Sequence, residues 1–444
     1  MTIRLTLGRA LLIALAVAGT EGCDFDIANP NSPDRIGVNP TRARVAAAAT
    51  GLLIGSRADH ADLILDLGII GREAYRFDGS DPRFITELLG PNPVLDAGSG
   101  AFGGDHWAEP YRNIRNANQL LAVVGTSNAL SDEEKDAVRG FARTIQALDF
   151  LTIVNTHTQD SIPIAVGTDV NAPPAPFATN AEALDHIERL LDSALTELQN
   201  GGSAFPFTLS SGFQGFDTPA DFAKFNRALR ARVDVYRQNW ARALVDLQGS
   251  FVDTLQPLSL GVYHTYSTGS GDFANPIISS VVENFAHPQL RDSAQLQPGG
   301  QRDRRFLTKT FQRSSTTSSG LTSDLGWALY PTPSTPIPII RNEELILIRA
   351  EANIQLNNLT EALDDINFVR VNSGGLAPLA PFANQAEAIN ALLYERRYSL
   401  LFEGGHRWID MRRYNRLNQL PIDRPGDVVH PRYPVPTDEI LARQ

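Results

Sequence analysis

Apolar side chains recur every three or four positions through much of this chain, the period of a helix with one buried face. Trp107, Tyr111, Ile114 and Asn118 form such a stripe within 105–124. Phe141, Ile145, Leu148 and Thr152 form a second, and Ser131 with Glu134 is a capping box that opens its helix, predicted to reach about residue 154. The Ala-rich stretch 41–58 is predicted helical. Thr179 or Asn180 caps a helix to about residue 198, ended by the glycines at 201 and 202. A helix pair follows over about 219–247, and helices resume at about 342–357, 359–371 and 384–403. Between about 250 and 340 the helical period is lost and Gly, Ser, Thr and Pro dominate, with aromatic residues scattered among them. So long a stretch without helices of its own is a candidate for function.

Two of the helical segments repeat. RARVDVYRQNWARALVDL and RAEANIQLNNLTEALDDI align at a fixed offset, placing Ala231 on Ala350, Trp240 on Leu359, Ala243 on Ala362, Leu244 on Leu363 and Leu247 on Ile366. Small residues let paired helices approach, and the large apolar ones fill what remains. The spacing resembles tetratricopeptide helix–turn–helix units, which must stack to bury their faces. Residues 105–154 and the neighbourhood of 180–200 are candidate further units.

The chain has one cysteine, Cys23, so an internal disulfide, a cysteine zinc cluster and an iron–sulfur site are excluded. It follows a basic start, Arg4 and Arg9, and a short apolar run that is below the length needed to span a bilayer. A lone cysteine after small Gly22 resembles a bacterial lipobox, although Thr20 and Glu21 depart from its pattern. Residues 1–22 are thus expected to be a lipoprotein signal peptide, Cys23 the lipid attachment point, 23–36 a polar tether and 37–444 a single domain. Asp24 and Asp26 resemble an acidic sorting signal for the cell surface.

Net charge is −11, which argues against a general affinity for nucleic acid. The sequence GSGAFG at 98–103 fits a dinucleotide fingerprint but follows prolines rather than a strand, so no nucleotide is expected. No serine-hydrolase elbow, zinc-protease motif or phosphate loop occurs, and no histidine pair has metal spacing. The turn DGSDP at 78–82 has too few ligands for a calcium loop. No catalytic residue, metal or cofactor is expected.

The C-terminal third is the most specific. It carries Ala350-Glu351-Ala352, then Glu361-Ala362-Leu363, then Asn367 and Arg370. Next comes Glu395-Arg396-Arg397, then Phe402-Glu403-Gly404, then His406-Arg407-Trp408, Asp410, Arg412 and Arg413. Pro434-Val435-Pro436 and Glu439 close it. These resemble the SusD/RagB family of nutrient-uptake outer-membrane lipoproteins. The resemblance implies an all-α fold: a tetratricopeptide-like scaffold, here over about 105–247 and 342–403, with an irregular ligand-binding half at about 250–340. It implies a nutrient-binding protein, for an oligosaccharide or a peptide, lipid-anchored in the outer membrane and surface-exposed. It also implies a partner, a SusC-like TonB-dependent β-barrel transporter for which the protein acts as lid, and no enzyme activity. A surface glycoside hydrolase and a protein-binding repeat scaffold remain as alternatives.

Within the charged signature, Glu403, Arg407, Asp410 and Arg413 are spaced to pair along one helical face, and a scaffold role is expected for them. The ligand is expected on the aromatic residues of the irregular half: Trp327, Tyr330, Tyr263 and Tyr266. Failing these, it is expected around Tyr75, Phe77 and Phe102.

Overall fold

Thr41 begins the first helix: its backbone is extended and its hydroxyl accepts from the Arg44 amide. Thr179 and Glu182 close a reciprocal capping box, and Ser131 and Glu134 do the same, the Ser131 amide donating to the Glu134 carboxylate at 2.9 Å. The longer helices are α1 (Arg42–Ser56), α2 (His60–Ile70), α3 (Phe102–Val124), α4 (Asp132–His157), α5 (Asn180–Asn200), α6 (Pro219–Tyr236) and α7 (Trp240–Gln248). After the irregular half come α8 (Asn342–Gln355), α9 (Leu359–Asn372), α10 (Gln385–Ser399) and α11 (His406–Arg413). The computed structural model describes residues 36–90, 94–98, 102–157, 162–169 and 171–444. The expected signal peptide, Cys23 and all of the tether but Ile36 lie outside the described residues.

Consecutive helices pack as antiparallel neighbours, α3 on α4, α4 on α5, α5 on α6 and α6 on α7. The chain then leaves the scaffold and returns to lay α8 against α6 and α7, with α9 and α10 against α8. The internal repeat extends to the backbone. Ala231, Ala350, Ala243 and Ala362 have no exposure, Leu247 and Ile366 are likewise buried, and Trp240, Leu359, Leu244 and Leu363 are all half-buried. Both hairpins turn through a left-handed residue at the same aligned position, Gln238 (φ 63°) and Asn357 (φ 64°). Both close with the same hydrogen bond, Asn239 amide to Asp234 carbonyl and Asn358 amide to Asn353 carbonyl, each 2.8 Å.

α2 is mostly apolar and buried along nearly its whole length, with Asp66 among the buried residues, so it lies inside the molecule rather than on its surface. The irregular half is less irregular than the sequence suggests. Its strands form two-stranded antiparallel sheets: β1 (Ala74–Arg76) with β5 (Asn284–Ala286), β4 (Gly261–His264) with β8 (Ile337–Arg341), and β6 (Thr310–Ser318) with β7 (Leu321–Trp327). A fourth pair joins β2 (Ile162–Pro163) and β3 (Phe177–Ala178). The β6–β7 hairpin turns at Ser319-Gly320, both with positive φ, the geometry whose twist matches the strands it joins. Its Ser/Thr-rich strands carry little apolar alternation, so no strand signal stands out in the sequence. Residues Val38–Gln444 form one compact unit.

Candidate functional site

The four expected ligand aromatics do not form a platform. Trp327 is 2% exposed at the end of β7 and lies flat on Phe402, with ring centroids 4.2 Å apart and planes 6° from parallel. Tyr330 is equally buried and donates its hydroxyl to the Phe402 carbonyl at 2.7 Å. Tyr266 is buried edge-on to Phe273. These three belong to the core, where a large ring removes most apolar area from water. Tyr263 is half-buried; its hydroxyl donates to the Ser259 carbonyl, and the residue borders an open cleft.

Partly exposed rings gather instead around β1 and the turn that follows it. Phe84 and Phe102 meet at 4.7 Å, with planes tilted by 55°. The Arg76 guanidinium lies over Phe84 at 4.7 Å, and that of Arg83 over Phe102 at 5.0 Å. Beside them Phe77 packs between Tyr75, at 5.6 Å, and Phe285, at 4.8 Å, and Arg313 covers Phe285 at 4.0 Å. Phe77, Phe84 and Phe102 are half-buried, while Tyr75 is buried with its hydroxyl 2.9 Å from His287 Nε2. Sequence reasoning reached Phe77 and Phe102 but missed Phe84, Arg76, Arg83 and Arg313. The available signal was the alternation of ring and guanidinium in YRFDGSDPRF, residues 75–84.

The acidic turn beside this face is occupied by its own donors. Asp78 accepts from the Ser80 hydroxyl at 2.6 Å, the Ser80 amide at 2.9 Å and Arg76 Nη2 at 2.9 Å. Those bonds, the Ser80 hydroxyl first, hold its carboxyl well below the ordinary range. Asp81 is held down in the same direction by Arg83. Neither carboxylate is left bare for calcium. Among the described residues no group of three His, Cys, Asp or Glu is placed to hold a metal ion, and no helix is long and apolar enough to cross a membrane.

The charged C-terminal signature lies inside the scaffold. Arg396 pairs with Asp410 at 2.6 Å, Arg370 with Glu395 at 2.9 Å, and Arg305 with Glu395 at 2.7 Å. Glu403 is gripped by Arg341 at 2.8 Å and Lys309 at 2.7 Å, both from other elements. Of the pairing expected along one face, only Asp410 with Arg413 forms, at 3.1 Å. Arg407 instead faces Glu73 and the like charge of Arg397, and burial with that repulsion lowers it to about 10. Trp408 is fully buried and donates its indole N–H to the His430 carbonyl at 2.8 Å.

Comparison with known proteins places this architecture. Residues 330–434 match the SusD family. A SusD-like protein of Formosa agariphila is 36% identical over 89 residues, which cover 18% of this chain and 18% of that relative. The fold matches a SusD superfamily protein from Bacteroides vulgatus with a TM-score of 0.69 at 13% identity, over 91% of this chain and 98% of that one. It also matches a laminarin-binding SusD-like protein, with a TM-score of 0.66 at 17% identity over 91% and 98% of the two chains. A SusD-like carbohydrate-binding protein from Bacteroides fragilis matches with a TM-score of 0.67 at 16% identity, over 86% and 87%.

Proposed function

We propose that the chain is a SusD/RagB-family protein that binds a glycan, on its match to the SusD family over residues 330–434 and on a SusD-like fold over 91% of its length. The arginine–phenylalanine face around Phe84 and Phe102 is the binding platform of this reading. Pyranose rings present flat C–H faces that aromatic rings accept, and the flanking guanidiniums and carboxylates can hold hydroxyls. The observation that carries the reading is the pair of half-buried rings Phe84 and Phe102, each backed by an arginine and flanked by a turn already fixed by Asp78. A platform whose side chains are ordered beforehand binds with less entropy loss. Laminarin binding by one structural relative supports a polysaccharide as the ligand class.

The remaining parts of the reading follow the family. Cys23 is the lipid attachment point, the protein stands on the outer-membrane surface, and a SusC-like TonB-dependent β-barrel is its partner, for which it serves as lid. In this reading it binds without breaking a bond, and the hydrogen bonds to Asp78 and Asp81 favour their ionised forms, which do not suit a general acid.

Affinity electrophoresis in gels cast with soluble polysaccharides, laminarin among them, tests the platform. The chain is expected to be retarded by at least one polymer. Phe84→Ala and Phe102→Ala are each expected to weaken retention by about 1–3 kcal/mol, the range for ring stacking. Unchanged retention in both variants removes the platform, and release of reducing ends from the polymer turns the reading towards the hydrolase.

A further inference from the structure

A second site is built on the cleft that Tyr263 lines. About 340 Å³ in volume, it opens between the C-terminal half of α1, residues 208–213 and the loop after β4. That is the lower end of the range for small-molecule pockets, about 300–1,000 Å³. Thr50, Thr208, Ser210, Thr265 and Ser270 are among its lining residues, and none of their hydroxyls hydrogen-bonds to another described residue. Leu53 and Ile54, both half-buried, give it an apolar strip.

One end carries a charged pair. Arg57, whose side chain is 7% exposed, stacks on Phe273 at 4.7 Å and on Tyr266 at 5.4 Å, and its Nη2 binds Asp272. Its Nη1 is buried without a partner. Asp272 keeps 28% of its side chain exposed, and its Oδ2 accepts no hydrogen bond from a described residue. Asp272 thus keeps an accepting oxygen at the end of the cleft, beside a guanidinium that is held by it and has one buried, unpartnered nitrogen. Sugar hydroxyls can donate to the Asp272 oxygen and exchange hydrogen bonds with the lining Ser and Thr side chains, and a pyranose C–H face matches the strip. The loop is set in advance: the Ser267 amide bonds the Phe273 carbonyl at 3.1 Å, and the turn passes through Gly271 at φ 84°, where a side chain would be strained.

We propose that this cleft binds a neutral sugar of one or two pyranose rings, at a site separate from the arginine–phenylalanine face. Neutrality follows from the pair itself. Asp272 already balances Arg57, so a carboxylate or phosphate on the ligand would meet Asp272 as a like charge. The two sites share no residue, and the cleft does not rest on the polysaccharide reading.

Calorimetric titration of the full chain with maltose, cellobiose and glucuronate tests it. At least one disaccharide is expected to bind and glucuronate to bind more weakly. Asp272→Asn is expected to lower disaccharide affinity tenfold or more. Thr265→Val, which keeps the shape and removes a hydroxyl, is expected to lower it several-fold with unchanged melting. Phe84→Ala should leave disaccharide affinity unaltered while loosening polymer retention. The proposal is overturned if neither disaccharide binds, if glucuronate binds more tightly than both, or if Thr265→Val and Asp272→Asn bind as the wild type does. Loss of disaccharide binding in Phe84→Ala alone overturns it too, since the sugar then sits on the other face.

Discussion

Asp149 lies in the buried face of α4, with the Asn113 side-chain amide donating to it at 2.7 Å. Burial pushes its carboxyl up to about 8, against the pull of that hydrogen bond. The folded protein therefore keeps a proton at neutral pH that the unfolded chain releases above about 4. Stability falls as pH rises from about 4 to about 8, by about 1.4 kcal/mol per pH unit for this one group. Asp149→Asn keeps the shape and removes the titration, and its amide can serve the Asn113 Oδ1, which lacks a partner. His106 slopes the same way in a different window. Burial lowers it, but Asp59 and Asp66 outweigh burial and raise it to about 10. Its contribution is complete below about 6.5 and is lost as pH rises through about 10. Stability curves of Asp149→Asn are expected to fall less steeply than the wild type's between pH 4 and 8, by the share of this one group, while the loss from His106 above about 6.5 remains. A variant curve parallel to the wild type across that range would mean that Asp149 is ionised in the fold.

The repeat was legible at the level of elements because each aligned position has one physical job. Alanine at 243 and 362 permits close helix approach, and Leu247 and Ile366 fill the space behind it. Ile366→Asp, with no exposure at all, is expected to cost several kcal/mol in a urea titration, since the carboxylate must be buried unpaired or take up a proton. Leu363 is only half-buried, so Leu363→Asp is expected to cost much less. Equal losses for the two variants would break the alignment of burial with repeat position. Capping residues were legible for a similar reason: Ser131 with Glu134 and Thr179 with Glu182 each satisfy helix ends locally. Strands were not. β1 pairs with β5 from a point some two hundred residues later, and no local pattern encodes that partner. The site suffered in the same way. Tryptophan and tyrosine mark where apolar area is large, but whether Trp327 faces solvent or Phe402 is decided by the register of β7.

At the scale of the molecule the tail ties the two halves of the scaffold together. Its extended character was readable from the prolines, but its route was not. The Arg72 guanidinium binds the Pro421 carbonyl at 3.0 Å and the Val428 carbonyl at 2.8 Å. The Val428 amide reaches the Leu89 carbonyl, the Tyr433 amide the Thr156 carbonyl at 3.0 Å, and the Thr437 amide the Ala97 carbonyl at 2.8 Å. The Trp408 indole holds the same segment at the His430 carbonyl. Tyr433 is the anchor: its side chain has no exposure, and its ring lies so close over Gly103 that a Cβ there would fall 2.7 Å from it. Tyr433→Ala empties that space and is expected to cost about 3–5 kcal/mol, as for other buried aromatics. The hydroxyl contributes nothing to this, because it is buried without a partner among the described residues. Tyr433→Phe is therefore expected to be neutral or stabilising, by removal of a polar group whose hydration is lost on folding. Because the tail touches α4, the segment before α3 and α11, its loosening should lower the stability of the whole unit rather than fray one end. Far-ultraviolet circular dichroism and tryptophan fluorescence, with Trp107 and Trp408 reporting opposite ends of the chain, should give coincident urea transitions for wild type and for Tyr433→Ala. Separated transitions in the variant would show that the tail is a local cover and that the halves hold together without it.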